Sequence, residues 1–342
     1  MAMYLVTGGS GHLGANLVRG LLDQGASVRV VARGGSGNQA LDGLDVERVE
    51  GDVRDYQSML AAVRGCARVF HAAALISIAP STPQRDRELF ETNVVGTRNV
   101  LRAAREAGAK RVVVTGSVTA VGPCLDDPSR RSDEDVPFYP FDQVPSYAHT
   151  KAWAEHECLK AAALGQDVVI ATSCAIIGPH DFKPSDAGRL LLDFASGNLR
   201  AYVPGGVEYV AARDVVQGHL LAMERGRTGH RYILSTEFRS IDSLLEHYEK
   251  VTGRPRPRVR IPAPLATVMA RVSSLTLARM APSVPQRLTP AAVHFLRSQR
   301  QVDNTKARTE LGYRPTSLDQ AVQEAYDDFV CRGLITPARS AP

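Results

Sequence analysis

Apolar residues follow two alternating patterns through the first half of the chain. Short runs rich in β-branched residues, typical of strands, alternate with longer stretches in which apolar positions recur at helical spacing. The strand-like runs cover residues 4–7, 27–32, 45–50, 68–72, 111–115 and 167–171, and the helical stretches cover 14–24, 57–63, 90–106 and 147–163. This alternation predicts a parallel sheet with helices on both faces.

The pattern changes after about residue 175, where proline and glycine are more frequent and the elements become irregular. We expect an α/β fold with a sheet domain over residues 1–175, to which a later segment at about 205–235 returns. Residues 176–335 are expected to form mainly a smaller, mostly helical C-terminal lobe, and residues 336–342 a tail. The apolar segment 264–281 carries Arg271 and Arg279, so it is predicted to be a helix with one apolar face rather than a membrane span.

A glycine-rich segment, TGGSGHLG at 7–14, connects the first strand to the first helix. Gly8, Gly11 and Gly14 allow a tight turn and a close approach of the backbone to a pyrophosphate, and the helix N-terminus supplies free N–H groups. A glycine pattern is a weak signal alone, but here it opens a strand–helix unit, where it is expected. We predict that this loop, including His12 and Leu13, binds the pyrophosphate of a dinucleotide.

The end of the second strand reads VVAR at 30–33, with no carboxylate where NAD-binding proteins usually place one for the ribose 2′-hydroxyl. Arg33 could instead pair with a 2′-phosphate, which favours NADP(H) over NAD(H). An exposed arginine without a ligand is the alternative. Both readings predict the same fold, and only a binding measurement separates them.

Two further segments follow strands of the predicted sheet. After the third strand, Asp52 and Val53 are placed to hold the adenine edge, although Asp52 could instead only cap the next helix. After the fourth strand, small side chains would let the dinucleotide lie against the backbone. These small residues are Ala72, Ala73 and Ala74. We interpret His71, just before them, as a structural histidine rather than a catalytic one.

Tyr147 and Lys151 are four residues apart, so they share one face of the predicted helix 147–163. A phenol with its ordinary pKa near ~10 is a poor acid–base group at neutral pH, and a neighbouring ammonium is expected to lower that pKa. A surface pair is the alternative, but the glycine loop upstream argues against it. Ser117, or Thr119 as second choice, follows the fifth strand and could hold the reacting oxygen.

Composition narrows the class of protein. The chain has 342 residues, of which 44% are hydrophobic and 23% charged, as in an ordinary globular protein. The net charge of +5 is modest and the basic residues are scattered, so no nucleic-acid partner is expected. Five separated cysteines without metal-ligand spacing predict reduced thiols, no metal site and a cytoplasmic location. We expect no secretory signal and no membrane span.

The ordered set of motifs resembles the extended short-chain dehydrogenase/reductases, also called the NAD-dependent epimerase/dehydratase family. The motifs are TGGSGHLG at 7–14, GDV at 51–53, HAAA at 71–74, NVVGTRNVL at 93–101, TGSVTAVG at 115–122, YAHTK at 147–151, IIGP at 176–179 and ELGYRP at 310–315. The resemblance implies a doubly wound Rossmann sheet with a C-terminal substrate lobe, and a homodimer. It also implies Ser117, Tyr147 and Lys151 as the catalytic residues and Asn93 as a supporting residue of the cofactor site.

Within that family, Arg33, IIGP at 176–179 and the segment 209–215 look like the dihydroflavonol-reductase and hydroxysteroid-dehydrogenase branch. The two arginines that nucleotide-sugar epimerases place on the substrate diphosphate are absent, since the matching segments read VEY at 207–209 and RSQRQVD at 297–303. After the sixth strand the chain has TSC at 172–174, so Ser173 is our candidate for holding the nicotinamide carboxamide.

The expected function is therefore an NAD(P)H-dependent reductase or dehydrogenase that interconverts a ketone and a secondary alcohol on a fairly apolar small molecule. The lobe around its substrate is expected to include residues 75–77, 180–182 and 262–282. One alternative is an NAD-dependent sugar-nucleotide epimerase or dehydratase. Another is a non-catalytic dinucleotide-binding sensor, against which the intact Ser-Tyr-Lys set argues.

Overall fold

The computed structural model describes residues 3–34, 38–77, 81–124, 127, 130–138, 145–280 and 289–337. Its strands are β1 (Met3–Thr7), β2 (Ser27–Ala32), β3 (Glu47–Glu50), β4 (Arg68–His71), β5 (Arg111–Ser117), β6 (Val168–Ser173), β7 (Ala175–Ile177), β8 (Ala201–Tyr202), β9 (Gly206–Ala211), β10 (Arg231–Leu234), β11 (Glu237–Ser240) and β12 (Val259–Arg260). Its helices are α1 (His12–Asp23), α2 (Tyr56–Val63), α3 (Pro83–Phe90), α4 (Gly96–Glu106), α5 (Ser146–Ala163), α6 (Asp186–Ala195), α7 (Ala212–Arg225), α8 (Ile241–Thr252), α9 (Ala263–Met280), α10 (Pro290–Ser298) and α11 (Leu318–Cys331).

Seven parallel strands form the central sheet in the order β3-β2-β1-β4-β5-β6-β10. The order reverses between β1 and β4, and in such sheets ligands bind in the crevice beyond the carboxyl ends of the strands at that point. The glycine loop follows β1, the alanine segment follows β4, and Ser117 ends β5. The predicted doubly wound α/β fold is confirmed.

Helices cover the central sheet on both faces, and each face has its own apolar core. On one face, α1 and α7 pack through residues such as Leu17, Leu21 and Val215. On the other face, α2, α4 and α5 pack through residues such as Met59 and Leu101. Strands such as β5, with Val112–Val114 buried, are apolar on both sides because both sides are covered.

The C-terminal lobe is mostly helical and includes two small sheets. One sheet has the order β11-β9-β7 and the other pairs β12 with β8. Helices α6, α8 and α11 share a core that includes Phe194, Tyr248 and Phe329. Helices α9 and α10 share a smaller core of Ala266, Ala270 and Val293. None of the described helices combines the length and the apolar character that a bilayer crossing requires.

Helices α3 and α4 form one continuous helical stretch that is interrupted by a π-helical turn at Glu91–Val95. A π-turn inserts an extra residue into the helical repeat, and such turns are frequent at functional sites. This turn contains Asn93, whose side chain is buried. The turn therefore places Asn93 between the end of β4 and helix α5.

Candidate active site

The glycine loop after β1 is shaped by close packing of backbone on backbone. Gly8 has a φ of +77°, and a Cβ there would lie 2.6 Å from the backbone nitrogen of Ala73. A Cβ on Gly14 would overlap the carbonyl oxygen of Gly8. The same oxygen accepts a hydrogen bond from the Gly11 N–H at 2.9 Å. The loop therefore excludes side chains at Gly8 and Gly14 on steric grounds.

Helix α1 begins directly behind this loop, and its first N–H groups have no side-chain cap. Its N-cap residue is Gly11, which offers none. The Leu13 side chain is buried in the core, so Leu13 can offer a ligand only its backbone N–H. Uncapped N–H groups at a helix N-terminus bind anions well. Together with the space that side chains at Gly8 and Gly14 would fill, these N–H groups fit the pyrophosphate of a dinucleotide.

A cation that no sequence pattern indicated lies next to the glycine loop. The Lys183 ammonium group, on an exposed side chain, lies 3.5 Å from the hydroxyl oxygen of Ser10. Lys183 lies more than 170 residues from the loop along the chain, so no local pattern could have linked the two. It adds a positive charge at the place where a pyrophosphate would lie.

The His12 side chain makes its contacts within the fold. Its Nε2 lies 3.1 Å from the carbonyl oxygen of Pro179, and the same oxygen accepts from the Asn16 side chain at 2.8 Å. Its Nδ1 is buried, 3.9 Å from an Asp181 carboxylate oxygen. Burial lowers the pKa of His12. The side chain thus connects α1 to the IIGP segment, and its backbone remains part of the predicted phosphate loop.

Arg33 is exposed directly after β2. Its charge contributes to lowering the pKa of Asp52, although the hydrogen bonds from Arg54 to Asp52 are the larger cause. The carboxylate that caps α2 is Asp55, which accepts from the Gln57 N–H at 2.9 Å. The alternative that Asp52 only caps this helix is therefore wrong. Asp52 instead pairs with Arg54, whose guanidinium lies 2.6 Å from its carboxylate.

Val53 contributes packing rather than polar side-chain contacts. Its side chain is buried, and a Cβ on Gly96 would lie 2.8 Å from its Cγ2. Its carbonyl oxygen accepts from the Asn99 side chain at 3.0 Å. The backbone N–H of Val53 is consequently the group that remains for an adenine edge.

A buried histidine network supports the alanine segment after β4. The hydroxyl of Thr97 donates to the carbonyl oxygen of Asn93 at 2.6 Å, so it accepts from His71 Nε2 at 3.0 Å. His71 Nδ1 then accepts from Thr7, 2.7 Å away. Burial lowers the pKa of His71 to about 3, so the ring is neutral. Both ring nitrogens of His71 are hydrogen-bonded within the fold, which agrees with a structural histidine.

The Thr7 hydroxyl also accepts from the N–H of Ala73 at 3.3 Å, and the Thr7 carbonyl accepts from the N–H of Ala72 at 3.2 Å. Ala72 and Ala73 are partly exposed, and Ala74 is exposed. The segment therefore runs along the crevice as a backbone surface with small side chains. A ligand could approach it closely, as the sequence predicted.

Ser117 and Tyr147 meet at the carboxyl end of β5. Their side chains lie close enough for the Ser117 hydroxyl to counteract part of the rise that burial causes in the pKa of Tyr147. The Ser117 hydroxyl also lies 2.9 Å from the hydroxyl of Thr119, the second-choice residue. One turn along α5, the Lys151 ammonium donates to the carbonyl oxygen of Thr115 at 2.7 Å. The three predicted catalytic residues are thus brought together by β5 and α5.

The pKa of Tyr147 differs from the sequence-based expectation. Burial raises it to about 12, and the Ser117 hydroxyl opposes that shift. The Lys151 ammonium donates to the Thr115 carbonyl, and burial lowers its pKa while the charge of Glu155 opposes that shift. The prediction that Lys151 lowers the pKa of Tyr147 was wrong for this arrangement. Tyr147 holds its proton at neutral pH.

Asn93 holds two parts of the site in position. Its side-chain oxygen accepts from the Leu75 N–H at 2.8 Å, and its amide donates to the Leu75 carbonyl at 2.9 Å and to the Thr150 hydroxyl at 3.0 Å. Leu75 follows the alanine segment, and Thr150 lies next to Lys151 on α5. Asn93 therefore couples the crevice to the catalytic helix.

Ser173 is buried at the end of β6, where its hydroxyl donates to the carbonyl oxygen of Cys174 at 2.9 Å. The neighbouring Thr172 hydroxyl is buried without a hydrogen-bond partner. Burial raises the pKa of the Cys174 thiol well above its ordinary value, which argues against a nucleophilic role. Ser173 stays a candidate for the carboxamide, and Thr172 joins it.

A buried carboxylate, Glu155, lies one further turn along α5 and was missed by the sequence analysis. One of its oxygens accepts from Arg231 at 3.1 Å, and the other is buried without a partner. Burial raises the pKa of Glu155 to about 7, against the charges of Arg231 and Lys151. Its spacing of four from Lys151 and eight from Tyr147 could have revealed that all three share a helix face.

A cavity of about 250 Å³ opens beside Tyr147. It is lined by Ser77, Ser81, Arg85, Asp86, Leu89, Pro145, Ser146, Tyr147, Pro290 and Ala291. From the predicted substrate segments, Ser77 lines it, whereas His180 and Phe182 pack near α11 against Asp328 and Arg332. Residues 281 and 282 of the third segment lie outside the described residues. The first turns of α3 and α10 supply the walls instead.

Comparison with known proteins places the chain in a family. A sequence model of the NAD-dependent epimerase/dehydratase family matches residues 4–235. The chain belongs to this family. It is accordingly an NAD(P)-dependent oxidoreductase that acts on the CH–OH/C=O pair, and its family binds nicotinamide dinucleotides.

Individual relatives cover nearly the whole chain. A protein described as sterol demethylase protein B from Methylococcus capsulatus is 44% identical over 97% of this chain and 99% of its own. A putative dihydroflavonol 4-reductase from Synechocystis is 39% identical over 97% of this chain and 96% of its own. The crystal structure of gox2253 has a TM-score of 0.84 and 30% identity over 98% of this chain and 100% of that one.

The substitution Gly14→Ala should weaken dinucleotide binding. The added methyl group would displace the Gly8 carbonyl and open the turn that presents the α1 N–H groups. Losing charge-assisted hydrogen bonds to a phosphate should reduce affinity by about 10–100-fold, measured by calorimetry. Gly25→Ala is the control, since Gly25 has open space around it, although unlike Gly14 it has a positive φ of +71°. Equal losses in both variants would contradict a steric role for Gly14.

The substitution Glu155→Gln should flatten the pH dependence of stability. Because burial raises the pKa of Glu155 to about 7, its protonation stabilises the folded state fully at pH values below its unfolded pKa. That contribution disappears as the pH rises through 7. Between about pH 5 and pH 8, the unfolding free energy of wild type should therefore fall by on the order of 2–3 kcal/mol. The Glu155→Gln variant should not show this fall.

Urea unfolding followed by circular dichroism at the two pH values measures this difference. Glu157→Gln, on the same helix with a partly exposed side chain, is the matched control and should behave as wild type. If the Glu155→Gln variant keeps the wild-type dependence, the buried carboxylate is not the titrating group.

Proposed function

We propose that the protein interconverts a ketone and a secondary alcohol on a fairly apolar small molecule, with NADP(H) as the dissociable cofactor. The observation that carries this proposal is the meeting of Ser117, Tyr147 and Lys151 at the carboxyl edge of the sheet, beside a cavity that Tyr147 itself lines. A non-catalytic sensor would not require that arrangement.

In this proposal the Ser117 and Tyr147 hydroxyls donate hydrogen bonds to the carbonyl oxygen of the substrate. Tyr147 then transfers its proton to that oxygen as negative charge develops there. Because the pKa of Tyr147 is raised to about 12, the proton is present at neutral pH, and this supports the reductive direction. When bound, the nicotinamide supplies or accepts the hydride. Lys151, one helical turn after Tyr147, is available to a ribose hydroxyl.

Two observations support a fairly apolar substrate rather than a nucleotide sugar. Val207 stands where epimerases carry a diphosphate arginine, and its side chain is apolar and buried. It offers no positive charge to a diphosphate. The relative from Methylococcus capsulatus is described as a sterol demethylase protein, which supports a sterol-like alcohol or ketone as the substrate class.

The preference for NADP(H) rests on the exposed Arg33 at the end of β2. Glu50, at the end of β3, lies against Gly34, where a Cβ would meet its carboxylate. This carboxylate acts against a 2′-phosphate, so Arg33 must outweigh it. The homodimer implied by the family resemblance and the cytoplasmic location stay predictions.

The substitution Tyr147→Phe should lower kcat for ketone reduction by about 10²–10⁴-fold, because the proton donor is lost while binding contacts remain. The assay follows consumption of the reduced nicotinamide with a 3-oxosteroid, a small aliphatic ketone and UDP-glucose offered separately. Calorimetry should give unchanged NADPH affinity. Tyr56→Phe is the control, since Tyr56 lies at the start of α2, away from the cavity.

The expected order is the 3-oxosteroid first, with no reaction of UDP-glucose. Epimerisation of UDP-glucose without net consumption of cofactor would support the epimerase alternative. Full activity of Tyr147→Phe on the ketones would refute the assigned role of the tyrosine.

The cofactor preference is tested by calorimetry with NADPH and NADH on Arg33→Ala and Glu50→Gln. Removing Arg33 should weaken NADPH binding by about 10-fold or more and leave NADH binding nearly unchanged, as expected for a charge-assisted contact to a phosphate. Removing the Glu50 charge should strengthen NADPH binding selectively. Tighter binding of NADH by wild type would overturn the assignment of Arg33.

A further inference from the structure

Acidic residues are absent from a long segment of the C-terminal lobe. Residues 250–302 contain no Asp or Glu, whereas the whole chain has 36 acidic and 41 basic residues. Basic residues in this segment are Lys250, Arg254, Arg256, Arg258, Arg260, Arg271, Arg279, Arg287, Arg297 and Arg300. The rest of the chain is therefore net negative. Such charge asymmetry suggests a polyanionic partner for this part of the molecule.

Helix α9, within this segment, exposes a stripe of large apolar side chains. Leu265, Val268, Met269 and Val272 are 52%, 57%, 41% and 54% exposed. Their spacing of three and four residues puts them on one face of the helix. We call these four residues the α9 stripe. Contiguous exposed apolar side chains of this size mark an interaction site more often than chance exposure does.

The face of α9 that carries Ala266 and Ala270 is packed against the protein. Ala266 and Ala270 are fully buried on that face and contact Val203 and Val293. In its described part, α9 thus has small apolar side chains towards the protein and large apolar side chains towards solvent.

Exposed arginines flank the α9 stripe. Arg258 precedes β12 and Arg271 lies on α9 itself, and both side chains are exposed. Arg260 pairs with Asp242 and Arg256 with Glu246. In the part of the chain that the structure describes, neither Arg258 nor Arg271 has an acidic partner. Val259, between Arg258 and Arg260, is also exposed.

We propose that the α9 stripe and its flanking arginines form a docking surface for a bilayer that contains anionic lipids. In this arrangement α9 lies in the plane of the interface, with the stripe among the upper acyl chains and the arginines among the headgroups. A second copy of the chain would bring its own acid-free segment into contact with this one, and like charges would repel. A nucleic acid would match the arginines but would leave the stripe exposed.

Docking in this way would bring the substrate cavity close to the membrane. Helix α10 packs on the inner face of α9 through Val293, and its first residues, Pro290 and Ala291, line the cavity beside Tyr147. An apolar substrate dissolved in the bilayer would then have a short path to the site. Vesicle binding needs neither substrate nor cofactor, so its outcome is independent of the proposed reaction.

The test measures binding of the full-length protein to vesicles by flotation. Vesicles of phosphatidylcholine with phosphatidylserine are compared with vesicles of phosphatidylcholine alone, at low and high salt. Wild type should bind the anionic vesicles, and salt should weaken that binding. Arg258→Gln with Arg271→Gln should weaken it by about 25-fold, or about fivefold for each arginine. Val268→Ser with Val272→Ser should weaken it by at least about 10-fold.

The matched control is Leu164→Ser with Arg105→Gln, which removes an exposed apolar side chain and an exposed arginine away from α9. This variant should bind vesicles as wild type does. All variants should keep the wild-type circular dichroism and the wild-type turnover of a water-soluble ketone.

Three results would overturn the proposal. The first is the absence of wild-type binding to anionic vesicles, and the second is unchanged binding by the Val268→Ser, Val272→Ser variant. The third is self-association without vesicles that this same variant abolishes, since it would assign the α9 stripe to a second copy of the chain. Sedimentation velocity measures the third.

Discussion

The contact between the backbone of Gly8 and the peptide of Ala72 and Ala73 is the constraint on which the rest of the site depends. It brings the ends of β1 and β4 together at the point where the strand order reverses, with no room for a side chain between them. The turn into α1 and the backbone surface after β4 are both consequences of this approach. A ligand that binds there contacts two strands whose relative position is fixed by packing, so little reorganisation is required.

From that contact a chain of neutral hydrogen bonds reaches the catalytic helix. It passes from Thr7 through His71 and Thr97 to Asn93, and from the Asn93 side chain to Thr150 on α5. Because burial lowers the pKa of His71 to about 3, none of these groups changes charge near neutral pH. The geometry of the crevice and the position of α5 are therefore coupled through bonds that pH does not disturb.

Local spacing was sufficient to predict much of this arrangement. The glycine loop, the residues after β2 and β3, and the Tyr147–Lys151 pair each depend on neighbours within a few residues, where turn and helix geometry determine what is close. Contacts between distant segments were not predictable in this way. Lys183 beside Ser10 is one example, and Arg231 on Glu155 is another. Asp55 caps α2 because the helix begins one residue later, and boundaries of that kind depend on tertiary packing.

The pKa of Tyr147 is raised, although Lys151 lies only one helical turn away. Proximity in sequence therefore did not predict the direction of the shift. A lysine one turn away lowers the pKa of a phenol only when its field reaches the phenol without compensation. Here Lys151 donates to the Thr115 carbonyl, and Glu155 follows one turn later with Arg231 against it. One helix face thus carries a phenol, an ammonium and a carboxylate in succession. The carboxylate pairs with Arg231 from outside this helix, and the phenol at the end of the series remains neutral because burial is the dominant influence on it.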